Sequence, residues 1–192
     1  MRFQIAPAFR VTLFLTVLTG LVYPSIVTGL CQMLFPHQAN GSLVVRDGSI
    51  RGSVLLGQNF TAPQYFHPRP SAAGNGYDAS ASGGSNLGPT NQKLIDRVKG
   101  DVEKFRQENP DHQGTIPADL LTTSASGLDP DLSPASALAQ APRIAKARGA
   151  SLDQIEQVIS IHTTGRQLRF LGEPRVNVLR INLALDEQFP VK

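Results

Sequence analysis

The sequence predicts an α+β protein: one apolar N-terminal helix followed by a single soluble domain with helices packed on a small sheet. Three observations predict it. No charged residue occurs between Arg10 and Arg46, capped amphipathic stretches follow further on, and β-type alternation flanks Asp47-Gly48 and recurs near the end.

The run from Val11 to Pro36 comes first. About 26 helical residues span roughly 39 Å at 1.5 Å per residue, enough to cross a ~30 Å hydrocarbon core with some tilt. A cleaved signal has an apolar core of only about 7–15 residues and a small-x-small end, whereas this run closes on the bulky Met33, Leu34, Phe35 and Pro36. Cys31 follows Leu30 rather than the small residue a lipoprotein signal requires. Pro24 is expected to bend the helix, a defect membrane helices tolerate when the freed carbonyl finds another partner. Thr16, Thr19, Gly20, Ser25 and Gly29 would let a second helix approach, or would bond their own backbone.

Arg2, Arg10 and the α-amino group precede the helix, and only Arg46 follows closely. That bias places residues 1–10 in the cytoplasm, 11–36 across the membrane and 37–192 outside. The expected topology is a single membrane pass.

About 155 residues remain, sufficient for one domain with a modest core. Seventeen glycines, fourteen prolines and no tryptophan indicate a loop-rich domain. The one cysteine, Cys31, lies in the apolar helix, so no intrachain disulfide or thiolate metal cluster is possible. The net charge of +3 is mild, and the cations form no stripe interleaved with aromatics, so no nucleic-acid partner is expected.

Along the chain, Ser42–Val45 and Ser49–Leu56 flank Asp47-Gly48, a dipeptide suited to a tight hairpin. Residues 57–89 form a long loop whose interspersed aromatics, Phe60, Tyr65, Phe66 and Tyr77, would pin it to a surface. Thr90 or Asn91 caps a helix to about Gln107, with Leu94, Ile95, Val98, Val102 and Phe105 as its apolar stripe. Ser133-Pro134 caps another, expected to break at Pro142 and resume to Arg148. Ser151 and Gln154 form a capping box ahead of Leu152, Ile155, Val158 and Ile159. Arg175 to Leu185 reads as a strand, with a change of parity between Val178 and Ile181 that needs a bulge near Leu179 or burial on both faces.

The residues of familiar catalytic sites are missing. No P-loop and no Gly-x-Ser-x-Gly elbow occurs. The four histidines, His37, His67, His112 and His162, have no partners at metal-site spacing, so no metal is expected. Asp129-Pro130-Asp131 reads as a turn. Nothing supports an autonomous enzyme. The alternative is a membrane-tethered extracytoplasmic serine hydrolase built on Ser80, Ser82 or Ser85, which has no evident base. The run Ser82-Gly83-Gly84-Ser85-Asn86 could cradle an anion, or could lie where a backbone passes close to another surface. Docking onto a membrane partner is the favoured reading, with Tyr65, Phe66, Arg69, Ser82, Gly83, Gly84, Ser85 and Asn86 as its residues.

These segments resemble the C subunit of the Kdp-type potassium-transporting P-type ATPase. The likeness runs through Gly57-Gln58, Tyr65-Phe66, Arg69-Pro70-Ser71-Ala72 and the ten residues Ser82 to Asn91. It continues through Pro117-Ala118-Asp119-Leu120, Ser126 to Pro130, Ser133-Pro134 and Gly172 to Leu179. It covers nearly the whole chain in order. Gln92 and Asp131 stand where the family often has Pro and His.

The resemblance implies a non-catalytic accessory subunit of a high-affinity ATP-driven potassium importer. Its implied partners are a channel-like potassium-translocating subunit and a P-type subunit that hydrolyses ATP. It also implies a catalytic chaperone that raises the ATP affinity of the hydrolysing subunit, with Gln140 at the position of an implicated Gln. No firmly bound cofactor is expected, and ATP only together with the hydrolysing subunit. An external domain cannot meet cytoplasmic ATP, so any such effect would pass through the membrane subunits.

Overall fold

The computed structural model describes residues 2–191, with side chains from Gln4 onward. Met1 with its α-amino group, the Arg2 side chain and Lys192, all included in the expectations above, lie outside the described residues. The chain divides into two compact units, one ending at Arg51 and the other starting at Gly52.

The first unit begins with α1 (Arg2–Val17), a single π-helical turn (Leu18–Val22) and α2 (Tyr23–Leu34). The stretch Gln4–Leu34 is long and apolar enough to cross a membrane, and none of it is buried by the chain itself. Pro24 lacks the N–H that would bond back four residues. The turn just before it widens, and Tyr23 N–H bonds the Leu18 carbonyl instead. The Thr19 hydroxyl donates to its own helix at the Leu15 carbonyl, 2.7 Å away. A short α3 (Pro36–Ala39) leads to the hairpin of β1 (Leu43–Arg46) and β2 (Ser49–Ser53). Asp47 and Gly48 both take positive φ, 52° and 72°, as a two-residue turn matching strand twist requires.

The second unit holds α4 (Gln92–Glu108), α5 (Pro134–Arg148), α6 (Leu152–His162) and α7 (Val178–Gln188). Its sheet is antiparallel, with β5 (Arg175–Asn177) between β3 (Asp131–Leu132) and β4 (Thr163–Thr164). Leu132 and Thr163 both face Val176 in register. Ile144 from α5, Ile155 and Val158 from α6, and Ile181 and Leu185 from α7 close the core over Val176.

The expected caps are present. Asn91 accepts from Lys93 N–H at 2.9 Å, and Ser133 accepts from Ser136 N–H at 3.1 Å with Pro134 in the first turn. Ser151 and Gln154 exchange side-chain and backbone bonds at 3.2 and 2.9 Å. On α4 the apolar stripe is buried only at Phe105, and Ile95 stays exposed.

Two expectations fail. Pro142 does not divide its helix: α5 is continuous to Arg148. The carbonyl that loses its donor belongs to Leu138, on the exposed side of the helix where solvent can replace the bond. The tail is also not a strand to Leu185, because β5 ends at Asn177 and α7 begins at Val178. Asn177 turns the chain by accepting from Arg180 N–H at 3.2 Å. The odd parity follows, since Val178, Ile181, Asn182 and Leu185 are spaced i, i+3, i+4, i+7 and form one buried helical face.

Candidate functional site

The loop after Gly57 has almost no secondary structure of its own, yet Phe66 and Ala73 within it are buried and the residues from Phe66 to Ala73 are at least half-buried. Its backbone polar groups therefore need partners, and side chains from α5 and α7 supply them. Asn182 of α7 takes both groups of Phe66: Oδ1 accepts from its N–H at 2.8 Å and Nδ2 donates to its carbonyl at 3.0 Å. Gln140 of α5 does the same for the next residue. Its Oε1 accepts from His67 N–H at 2.8 Å and its Nε2 donates to His67 carbonyl at 3.1 Å. Each amide thus pairs with one residue as a neighbouring strand would.

Two arginines complete the clamp. Arg143 donates to the carbonyls of Pro63 and Tyr65, to Asn109 and to Gln140 Oε1. Burial pulls its guanidinium down to about 10, which still leaves it charged at neutral pH. Arg148, whose side chain is fully buried, donates to Gln64, to the α7 carbonyl of Leu185 and to Phe189. It also pairs with Asp186 at 2.8 Å and lies 5.1 Å from the Tyr65 ring centre. The Tyr65 hydroxyl donates to that same Asp186. Burial, reinforced by this carboxylate, raises the Tyr65 phenol.

The next stretch is held equally closely. Arg69 pairs with Asp129 at 2.7 Å, and the Ser71 hydroxyl donates to the Gly127 carbonyl at 2.6 Å while accepting from Tyr77 N–H. Tyr77 donates to the Arg69 carbonyl, and burial pushes its phenol well up. The Ser82 hydroxyl and the Gly83 N–H both donate to the Ser126 carbonyl. A Cβ on Gly84 would sit 3.1 Å from the Ala125 carbonyl oxygen. The close approach implied by consecutive glycines is real, and its surface is this chain's own segment 124–127. Asp119 ties the base of α5, accepting from Ser133 N–H at 2.8 Å and from the Ser133 and Ser136 hydroxyls. Burial works to raise Asp119, but these hydrogen bonds outweigh it and hold the carboxyl below the usual range.

A cleft of about 240 Å³ opens beside the clamp, lined by His67, Tyr77, Asp101, Lys104, Glu108 and Gln140 among others. Its charges compensate one another. His67 Nδ1 lies 3.2 Å from Glu108, Lys104 lies 3.9 Å from that carboxylate, and Asp101 pairs with Arg97 at 2.6 Å. Burial, then the nearby Arg143 charge, lowers His67 against the opposing pull of the Ala62 carbonyl and Glu108. Burial raises Asp101 despite Arg97. Among the described residues no group of three acidic, His or Cys side chains could hold a metal.

The predicted residues fall into groups held by different segments. Tyr65 and Phe66 are bonded from α5 and α7, and Gln140 of α5 clasps the next residue. Ser82, Gly83 and Gly84 instead lie against segment 124–127. Phe66 is wholly buried in its own domain. Tyr65 and Arg69 are half-buried and bonded inward, while Ser82 and Asn86 are exposed. Gln140 is 1% exposed, with both ends of its amide engaged. The serines considered for hydrolysis bond elsewhere: Ser80 to Asp78, Ser82 to Ser126, and Ser85 accepts from Thr123. No histidine bonds any of them among the described residues. Asp129 and Asp131 face Arg69 and Arg175 rather than a common ion. Asn182, Arg143 and Arg148 join the clamp through partners 34 or more positions away, pairings that local sequence spacing does not show. The helical spacing across 178–185 was the available signal for Asn182.

The sequence profile described as "KdpC: K+-transporting ATPase, c chain" matches residues 5–187. The chain is 56% identical over 185 residues to the potassium-transporting ATPase KdpC subunit of Rhodospirillum rubrum, covering 96% of each chain. It is 58% identical to that of Myxococcus xanthus, covering 95% of this chain and 87% of the relative. With the subunit from Koribacter versatilis it shares 54% identity over 100% of this chain and 98% of the relative.

Proposed function

The chain belongs to the KdpC family of K+-transporting ATPase c chains, and from that premise we propose that it is a membrane-anchored accessory subunit of an ATP-driven potassium importer. In this reading it binds a channel-like subunit and an ATP-hydrolysing subunit, and it acts on ATP affinity through assembly rather than by touching the nucleotide. One observation carries the indirect route. The Gln140 amide, the nucleotide-related candidate, already meets four polar partners in its own domain and is 1% exposed. A ribose or base could bond it only by displacing one of these partners: the His67 backbone, the Ser136 carbonyl or Arg143. The helix Gln4–Leu34 supports anchoring, and the charge bias around it supports an N-terminus inside with the folded domain outside.

Sidedness tests the proposal most directly. Gln113 is exposed. A Gln113→Cys variant in a Cys31→Ser background should react with an impermeant maleimide on intact spheroplasts. Labelling only after lysis would refute the external domain and restore direct nucleotide contact. Loss of this chain should abolish growth at micromolar potassium, and normal growth without it would refute the subunit role.

A further inference from the structure

Pro24 leaves a gap in the apolar helix that the helix itself does not close. A helical carbonyl receives an N–H from the residue four positions on, or five where the turn is π. For Thr19 those two residues are Tyr23 and Pro24. The Tyr23 N–H goes to the Leu18 carbonyl instead, and Pro24 has no N–H to give. The Thr19 hydroxyl is committed as well, donating to the Leu15 carbonyl at 2.7 Å. Among the described residues, the Thr19 carbonyl is left without either of its helical donors.

Its position makes the gap expensive. Thr19 lies midway along the span Gln4–Leu34, and a ~30 Å hydrocarbon core reaches only about ten helical residues to either side of that midpoint. Acyl chains carry no N–H or O–H, so a broken helical bond at this depth persists where a neighbouring helix re-satisfies it. The carbonyl is also open to approach. Gly20 follows it without a side chain, and a Cβ there would meet nothing within 4 Å. No part of the span is covered by its own chain. A second copy is the poorer partner, because a parallel pair brings the same carbonyl to the same depth, with each Thr19 hydroxyl already spent on its own Leu15.

We propose that the Thr19 carbonyl is a docking point within the membrane, accepting a hydrogen bond from a side-chain O–H or N–H on a transmembrane helix of another subunit of the K+-transporting ATPase, which packs against Gly20. The inference rests on the anchored-subunit role above. Inside a bilayer apolar burial does not favour one helix over lipid, so close backbone approach and interhelical hydrogen bonds decide which helices associate. The π turn and Gly20 supply one of each at a single depth.

The test uses the full chain and the assembled complex. Chain labelled at threonine carbonyl carbons and glycine nitrogens gives one selected NMR signal per Thr-Gly pair, and the sequence holds Thr19-Gly20, Thr28-Gly29 and Thr164-Gly165. The chain is reconstituted in bilayers alone, then with unlabelled transporter that lacks it. The Thr19 carbonyl signal should move downfield on assembly, as a new hydrogen bond requires, while Thr28 in the regular α2 stays in place. In parallel, Gly20→Leu should lower co-purification of the other subunits by about 3- to 30-fold, with the unfolding midpoint of the folded domain unchanged. Gly29→Leu, equally free of contacts in its own chain, should leave co-purification near wild type. A Thr19 signal that does not move, one already downfield in the isolated chain, full retention of Gly20→Leu, or equal losses from both glycine variants would overturn the docking point. Failure of the wild-type chain to co-purify any transporter subunit would instead overturn the subunit reading itself.

Discussion

Replacing Gln140 by alanine should unfold the domain more easily before it does anything else. Four bonds are lost, but they differ in weight. The Ser136 carbonyl stands in a helix, and Arg143 keeps Asn109 and the carbonyls of Pro63 and Tyr65. The cost falls on His67, whose N–H and carbonyl both lose their partner. A buried backbone group left unsatisfied costs about 1–3 kcal/mol. His67 is only half-buried, so the lower half of that range applies to each. Truncating a side chain this buried adds roughly 1–2 kcal/mol for the cavity. The sum is about 3–6 kcal/mol. A domain of this size loses roughly 3 °C per kcal/mol, so the midpoint should drop by about 9–18 °C.

Thermal unfolding of the full chain in detergent, followed by circular dichroism, measures this directly. Amide exchange at His67 should accelerate in the same variant. Gln140→Glu should not rescue stability, because its second oxygen would face the carbonyls that Nε2 now serves. A midpoint within about 2 °C of wild type, with His67 still protected, would refute the clamp.

Three further outcomes are expected. Gly127→Ala should be severely destabilising, because its Cβ would lie 2.6 Å from Ala73 N and 2.7 Å from the Gly83 oxygen at φ +67°; wild-type unfolding would contradict that packing. Stability should fall in acid for two separable reasons. His67 is lowered in the fold, so the unfolded chain takes up its proton first and stability drops as pH falls below about 6.5; His67→Gln should remove that phase. Asp119 is lowered too, so its stabilisation is present above the unfolded carboxylate range and disappears as pH falls through the folded value, a phase Asp119→Asn should abolish. Finally, Asn182→Ala should mimic Gln140→Ala in unfolding assays, since it releases the adjacent residue.

Local signals made much of the fold legible. The Asp47-Gly48 turn, the Asn91 and Ser133 caps and the Ser151 capping box each need only a few neighbouring residues, and each stands where expected. At the tail, the outcome also depended on partners far along the chain. The tail contains helical spacing and strand-like valines together. The choice fell to helix because Asn177 caps it and Val178, Ile181 and Leu185 meet the core. The glycine-rich loop announced a close approach, but not that residues 124–127 would provide the other side. Gln140 reached attention through resemblance alone, since nothing within a few residues shows that it clasps His67, 73 positions away.

That separation matters for any effect of Gln140 on ATP. An affinity measured on an assembly is weakened by the fraction of its accessory domain that is not folded to bind. Loosening the clamp lowers that fraction without any contact between Gln140 and nucleotide. A direct contact would make Gln140→Ala change ATP affinity while Asn182→Ala, on another helix and bonded to another residue, left it alone. An indirect effect would move both together, in proportion to their loss of stability. Low temperature or excess chain would then restore both toward wild type by refilling the folded, bound population. Measuring ATP dependence in complexes carrying each variant separates the two. A defect confined to Gln140→Ala, undiminished by excess chain, would defeat the assembly route.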